Sequence, residues 1–370
     1  YKMNTIYFFA SFGDMNKLPG GGGQTAARRL LDMLRKLGFH VITYNRHRYY
    51  FENRIIDRIS TLLFAVIDPV LYCLFLLFRY RRSAATLYMG YTGSILWFDY
   101  MIAKVSKMLG FKSIMYLAGG KAKWSFEEGS KSYRKLFKKT MMMCDEVMTE
   151  GEINIGLVKS VSSKTKTFYL PNFTENGFAP SELPKKSVDK INICYFGRID
   201  AQKNVLLSIE VFNSLSKKYD NIYLTLVGNG HSDYEEKVDK AINISPYKNR
   251  IIRENRVNHT RLAEILKEQH FYIFPSSNPC EGHSNALNEA MSWGLIPVVS
   301  NFNFLPSIVG DEILVANDFS VEAYYKIFEY VIDNNLIDRI SEEMFLRVKN
   351  NFVQPVVEKK LKVELDSFFK

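Results

Sequence analysis

Cysteine is scarce in this 370-residue chain. The four present, Cys73, Cys144, Cys194 and Cys280, share no spacing that serves a metal or a dithiol couple, so reduced thiols in a cytoplasmic protein are expected. The six histidines form no His-Glu-x-x-His and pair with no Cys-x-x-Cys, which removes the usual zinc patterns. Asp-x-Asp is absent altogether. Lacking these ligand sets, the chain is expected to carry no metal site and no bound cofactor. Glycine (21) and proline (11) are too few for a collagen-like or low-complexity chain. The opening MNTIYFFA runs directly into a strand-like pattern, so no cleavable signal peptide is expected either.

What is present reads as ordinary globular protein: 47% hydrophobic and 24% charged residues, in a chain long enough for two domains. The net charge of +10 is unevenly spread. Residues 1–180 hold 26 Lys and Arg against 13 Asp and Glu, whereas residues 181–370 hold 23 against 26. The basic half calls for an anionic partner or surface. Nucleic acid is disfavoured, because no aromatic RNP-type pattern, zinc finger or clear helix-turn-helix accompanies the charge. A membrane surface or a phosphate-bearing acceptor fits better.

Thr5 to Ala10 reads as a buried strand. LPGGGGQTAARRLLDMLRKLG then opens on a glycine cluster and continues as an amphipathic helix ending near Gly38, and HVITY is the next strand. Repeated units of this kind build a parallel sheet with helices on both faces. Gly20 to Gly23 fail Gly-x-Gly-x-x-Gly, since Thr25 stands where the last glycine belongs, and fail the Walker pattern too. A dinucleotide dehydrogenase or P-loop ATPase is thereby disfavoured. There remains a backbone able to approach a ligand closely, or a flexible turn.

Ile59 to Phe78, ISTLLFAVIDPVLYCLFLLF, carries one charge in 20 residues, with Asp68-Pro69 interrupting its middle and arginines (Arg54, Arg58, Arg79, Arg81, Arg82) at both ends. It is long enough to consider as a membrane span. Three readings stand: a buried helix, an interfacial helix dipping into a bilayer, and a transmembrane helix. SKSYRKLFKKT, Ser130 to Thr140, is a basic amphipathic run suited to anionic lipid, or a solvated helix face. APSELPKKSVDK, Ala179 to Lys190, reads as a linker, after which a second alternation of strands and helices begins. The order yields an α/β fold of two doubly wound parallel-sheet domains with a cleft between them, ligand being expected at the carboxyl ends of strands.

Two constellations carry chemistry. PCEGHSNALNEA sets Glu281 and Glu289 eight positions apart. In a helix that spacing means about 12 Å of rise and roughly 80° of rotation, too far for an acid/base couple working across one bond at about 5–9.5 Å. It suits gripping two ends of a long ligand. Ser284 or Asn285 is a good N-cap, Ala286 to Ser292 is helix-compatible, Gly294 fits the C′ position, and Ile296 to Ser300 is a strand. The helix start between the glutamates offers N–H groups to phosphate. Alternatively, Glu281 merely caps the helix and Glu289 is solvated. In CYFGRIDAQKNVLLSIEVF, a strand ends at Gly197, Arg198 and Lys203 lie on the turn, and a helix starts near Asn204. Those cations can neutralise a diphosphate, or are two solvated surface charges.

Together, Gly-Arg-x4-Lys-Asn (Gly197 to Asn204) and Glu-x7-Glu (Glu281, Glu289) resemble the motifs of the nucleotide-sugar-dependent glycosyltransferases of family 4, retaining enzymes of the GT-B fold. The Gly20 to Gly23 loop, YLPNF, LVGNG, FPSS and EAMSWGLIPVVS look like family landmarks in family order. The resemblance implies that Arg198, Lys203 and Glu281 are catalytic. The cations would bind the donor diphosphate, Glu281 the hydroxyls of the transferred sugar, and Glu289 the ribose. Gly22, Gly23, Gly197, Asn204, Gly228 and Gly230 would line the substrate sites. Gly282, His283, Ser284, Asn285, Ala286 and Leu287 would wrap sugar and phosphates, and Arg253 to Val257 would lie near the base. His283 stands where relatives often have an apolar residue, and is either a donor contact or a plain loop histidine. Gly119-Gly120 occupy the place of a histidine found in many relatives.

The implied donor is a nucleoside diphosphate sugar, a UDP-sugar first. The implied acceptor is a glycan, lipid-linked, in surface polysaccharide synthesis on the cytoplasmic face of an anionic membrane. Residues 1–183 would bind acceptor, 184–350 would bind donor, and 351–370 would form a C-terminal helix packing back on the first domain. The rivals are a non-catalytic sugar-nucleotide-binding protein and a GT-B sugar-nucleotide epimerase.

Overall fold

The computed structural model describes residues 4–17, 22–46, 53–79, 84–90, 92–93 and 95–370. Gly20, Gly21, Arg81 and Arg82 lie outside the described residues. Contacts divide the chain into two units, Tyr1–Pro171 with Glu358–Lys370, and Asn172–Val357.

The first unit runs β1 (Thr5–Ala10), α1 (Gly22–Lys36), β2 (His40–Asn45), α2 (Arg54–Leu77), β3 (Ala84–Met89) and α3 (Leu96–Met108). It continues with β4 (Lys112–Leu117), α4 (Lys121–Glu127), α5 (Lys131–Met143), β5 (Glu146–Thr149), α6 (Glu152–Val161) and β6 (Lys166–Tyr169). Its strands pair in parallel in the order β2-β1-β3-β4-β5-β6. β1 and β3 are buried at every residue. Continuous apolar runs, rather than alternating ones, are what a parallel sheet covered on both faces requires. α1 supplies part of that cover with Ala26, Ala27, Leu30, Leu31, Met33 and Leu34, which recur at helical spacing and are buried.

The stretch with Asp68-Pro69 in its middle is one helix, α2, running through Pro69. Proline costs a helix one backbone bond. Here the helix is held beyond it by packing: Tyr72 and Leu76 are fully buried, and the Tyr72 hydroxyl donates to Tyr7 O at 3.1 Å.

The second unit runs β7 (Ile191–Phe196), α7 (Val205–Leu215), β8 (Ile222–Val227), α8 (Ser232–Ile244), β9 (Ile251–Glu254) and α9 (His259–Lys267). Then come β10 (Phe271–Phe274), α10 (Asn285–Ser292), β11 (Ile296–Ser300), α11 (Leu305–Val309) and β12 (Val315–Ala316). Three helices close the chain: α12 (Val321–Asp333), α13 (Ile337–Asn351) and α14 (Gln354–Phe369). The parallel strands order as β12-β11-β10-β7-β8-β9. Strand order therefore reverses between β7 and β10, the position at whose carboxyl end a doubly wound sheet binds ligand.

The boundary between units falls at Pro171, twelve residues before the expected 183. Polar contacts tie the intervening segment to the second unit. Asn172 Nδ2 donates to His283 O at 2.8 Å, Thr174 bridges Val353, and Lys186 Nζ donates to Gly294 O at 2.8 Å. Burial pushes that ammonium down to about 7. The final residues return to the first unit, where Phe369 stacks on Phe39 at 5.7 Å and Lys166 pairs with Glu364.

Candidate active site

The strand-helix turn after β7 is built by short-range polar chemistry. The Asp200 carboxylate accepts from Lys203 N at 3.1 Å and so caps a 3-10 turn over Ala201–Lys203. Asn204 then takes a left-handed conformation, φ 50°, and its side-chain amide donates to Pro275 O at 2.9 Å and Ser277 Oγ at 3.2 Å. That clasp fixes the end of β7 to the end of β10. Two buried tyrosines add to it: the Tyr195 hydroxyl donates to Arg198 O at 2.6 Å and the Tyr272 hydroxyl to Phe196 O at 3.0 Å. Burial pushes both phenols well up, so both remain protonated donors.

Glycine closes the other side. Gly197 and Gly228 have φ of 144° and 139°, and a Cβ on Gly228 would stand 1.8 Å from Gly197 O. One on Gly230 would stand 1.6 Å from Ile199 O, because Ile199 and Gly230 pair as a bridge. Ile199 N donates to Asn229 O at 3.0 Å. The loops after β7 and β8 thus touch backbone to backbone, which only residues without side chains permit.

Into this frame project the charged groups. Lys203 Nζ donates to Glu281 Oε2, which also accepts from Ser276 Oγ at 2.8 Å. Both side chains of the ion pair are nearly buried, 11% and 10% exposed, and the ammonium lies 4.8 Å from the Phe274 ring centre. An ammonium has three donors, so Lys203 can hold a carboxylate and a phosphate oxygen together. Arg198 is 61% exposed and pairs through Nε with Asp200 at 2.6 Å. A cavity of about 630 Å³ opens beside it, lined by Gly197, Arg198, Gly228, Asn229, Gly230, Arg256, Val257 and His259 among others. That volume is within the range of small-ligand sites.

Glu281 does not cap α10. Ser284 does, its hydroxyl accepting from Leu287 N at 3.3 Å. Gly294 has φ 69° just after that helix, and β11 follows over the expected residues. Glu289 lies in the helix and Glu281 in the loop before it, so the two are set by different elements. Asn285 and Ala286 open the helix partly exposed, and Gly282 is partly exposed in the loop.

His283 turns its ring into the second unit. The ring is 2% exposed, bonds through Nε2 to Asn288 Oδ1 at 3.0 Å and packs edge-on against Phe352 at 4.8 Å. Leu287 likewise is core, with its N–H already bonded to Ser284. Gly22 and Gly23 begin α1 in the first unit, exposed and with open space around both. The sequence reading missed Asp200, Ser276, Tyr195 and Tyr272. Asp200 was findable, since an aspartate three residues before Lys203 is a capping signal.

Charged pairs thus lie at the switch point of a parallel sheet, beside glycine-clamped loops and an open cavity. Residues 181–346 match the family model of glycosyl transferases group 1. Over 217 residues the chain is 25% identical to a phosphatidylinositol N-acetylglucosaminyltransferase subunit from Arabidopsis thaliana, covering 58% of this chain and 47% of that one. The chain spans about half the length of the curated relatives it matches. Among solved structures, sucrose-phosphate synthase from Thermosynechococcus elongatus superposes with a TM-score of 0.73 at 15% identity, over 99% of each chain. HepE from Anabaena, in complex with UDP and glucose, gives 0.64 at 13% identity, over 99% of this chain and 100% of that one. The fold is GT-B.

Proposed function

We propose that the protein is a retaining, metal-independent glycosyltransferase of family 4. It moves a sugar from a nucleoside diphosphate sugar, a UDP-sugar first, to a lipid-linked glycan in surface polysaccharide synthesis, at the cytoplasmic face of the membrane. The observation that carries this reading is the buried Lys203–Glu281 pair at the β7/β10 switch point, with Arg198 beside it. The glycosyl transferases group 1 match and the UDP and glucose held by HepE support it.

The chemistry follows from charge. Breaking the bond between the anomeric carbon and the phosphate oxygen leaves positive charge on the sugar and negative charge on the departing diphosphate. Arg198 and Lys203 are aimed at the negative charge, in place of a metal ion, and fixed cations of this kind stabilise a transition state by a few kcal/mol each. Glu281 holds the sugar's hydroxyls. The acceptor hydroxyl attacks from the face the phosphate leaves, and its proton passes to the departing phosphate oxygen, so no separate protein base is needed.

The test is a thermal-shift titration of wild type and Arg198→Ala with UDP, GDP, ADP, CMP and dTDP. One nucleoside diphosphate stabilising the wild type alone is the expected result and names the base. Equal stabilisation of both proteins removes Arg198 from the site. Incubation of the matching sugar nucleotide with and without acceptor then separates transfer from epimerisation, which needs no acceptor.

A further inference from the structure

Helix α2 is 24 residues long, and its outer face is unlike that of an ordinary surface helix. Ile55, Ile59, Leu62, Val66, Val70 and Leu77 are each 48–71% exposed. At 100° per residue they fall within an arc of about 80°, and at 1.5 Å per residue they run for about 33 Å. No charged residue interrupts that arc; Arg58 and Asp57 lie on other sides of the helix. A monomeric soluble protein seldom shows so long an apolar stripe.

The stripe sits in the most cationic part of the chain. Residues 54–143 hold 15 Lys and Arg against 5 Asp and Glu. α2 packs beside α3, and α3 beside α5, as one layer over the first sheet. On α5, Lys131, Lys135 and Lys138 repeat at helical spacing, and all are exposed. Trp97 on α3 and Trp124 on α4 are 37% and 50% exposed, as suits rings that sit at a lipid headgroup boundary.

We infer that α2 lies in the plane of an anionic bilayer, its apolar stripe among the upper acyl chains and the lysines of α5 on the headgroups. This deepens the membrane partner of the proposed function by naming the element that makes the contact, and it does not depend on the transfer chemistry. Charge complementarity selects a bilayer over a second copy of the chain. Two such layers face to face would oppose like charges, whereas anionic lipid satisfies apolar and cationic groups together. An in-plane helix also agrees with its inner side. Asp68, Tyr72 and Leu76 are fully buried, so the second half of α2 is bolted to the protein and cannot be surrounded by lipid.

The test is flotation of the full chain with phosphatidylcholine vesicles, with and without phosphatidylglycerol, at low and high salt. Wild type binds the anionic vesicles at low salt. Leu62→Glu/Val66→Glu/Val70→Glu, all at exposed sites, weakens binding at least about tenfold, and Lys131→Glu/Lys135→Glu/Lys138→Glu does so to a similar degree. Both variants keep the wild-type thermal shift with nucleoside diphosphate, which separates failure here from failure of the donor site. Absence of wild-type binding, or unchanged binding by the α2 variant, overturns the inference. So does retention of wild type in membranes after an alkaline carbonate wash, which marks a spanning helix. Self-association abolished by the α2 variant, in a protein that ignores vesicles, would assign the stripe to a second copy.

Discussion

After β1 the chain turns through residues 11–17, and after β7 it turns through residues 197–204; a basic side chain closes each turn, with opposite consequences. In the first, Arg28 reaches back from α1 and spends its guanidinium on backbone: Nε donates to Phe12 O at 2.8 Å, Nη1 to Lys17 O at 2.6 Å and Nη2 to Asp14 O at 2.7 Å. In the second, Arg198 and Lys203 meet carboxylates, Asp200 and Glu281, while the turn itself is held by Asp200, Asn204 and the tyrosines. Backbone carbonyls cannot leave their places, but a carboxylate can share its cation with an incoming phosphate. A basic residue in a strand-helix turn is therefore no sign of an anion site by itself. Its partner decides.

The sharpest way to break this comparison is to remove the second turn's cations. Lys203→Ala strands Glu281 as an uncompensated buried charge, which costs about 3–5 kcal/mol in unfolding free energy, and turnover falls about 10²-fold or more. Lys203→Met/Glu281→Leu recovers most of the stability, since an apolar pair can replace a buried ion pair, and stays inactive. Denaturant titration beside a transfer assay separates the two effects. A double variant that turns over substrate would sink the catalytic reading of the pair. Arg198→Ala, exposed as it is, loses turnover on the same scale with little change in stability.

Next in size is Gly228→Ala. The new methyl group meets Gly197 O in a left-handed backbone conformation, and we expect a loss of about 2–4 kcal/mol together with the nucleotide-induced thermal shift. Wild-type stability in this variant would show that the two loops are not clamped as described. Arg28→Ala sharpens the comparison from the other side. Three hydrogen bonds to partly exposed carbonyls are lost, worth about 2 kcal/mol together, and the nucleotide shift is expected to remain, because the partners described for Arg28 are carbonyls of the first turn. A lost shift would make the first turn part of the donor site.

Most of the second unit could be read from sequence because its rules are local. Ser284 as cap, Gly294 after the helix and β11 over Ile296–Ser300 follow from neighbouring residues alone. The contacts that decide the site are long-range, and these were hidden. Nothing near Lys203 in sequence announces Glu281 as its partner 78 residues on, and nothing in GHSNAL shows that Asn288 and Phe352 take the histidine ring into the core. APSELPKKSVDK, read as a linker, carries no helix or strand, and its Lys186 donates to a backbone carbonyl of the second unit, a contact that composition cannot display. Pro69 is accommodated within α2 because burial of Tyr72 and Leu76 outweighs one lost helix bond.

The smallest predicted effect lies where the C-terminal helix rejoins the first unit, and it has a definite sign. Glu146 on β5 is buried, and its carboxyl is pushed up from 4.5 to about 8, by burial first and then by Glu364 of α14, with Lys166 opposing both. Between those two values the folded protein holds a proton that the unfolded chain has released. Stability from this group is complete below about pH 4.5 and is lost as the pH rises through 8. Glu146→Gln keeps the neutral shape without the proton, so its stability should fall less over that window and exceed the wild type at about pH 8 by on the order of 1 kcal/mol. Melting both proteins from about pH 5 to about pH 8 checks it. Parallel profiles would mean that Lys166 neutralises the pair fully and that burial of the carboxyl carries no penalty at this joint.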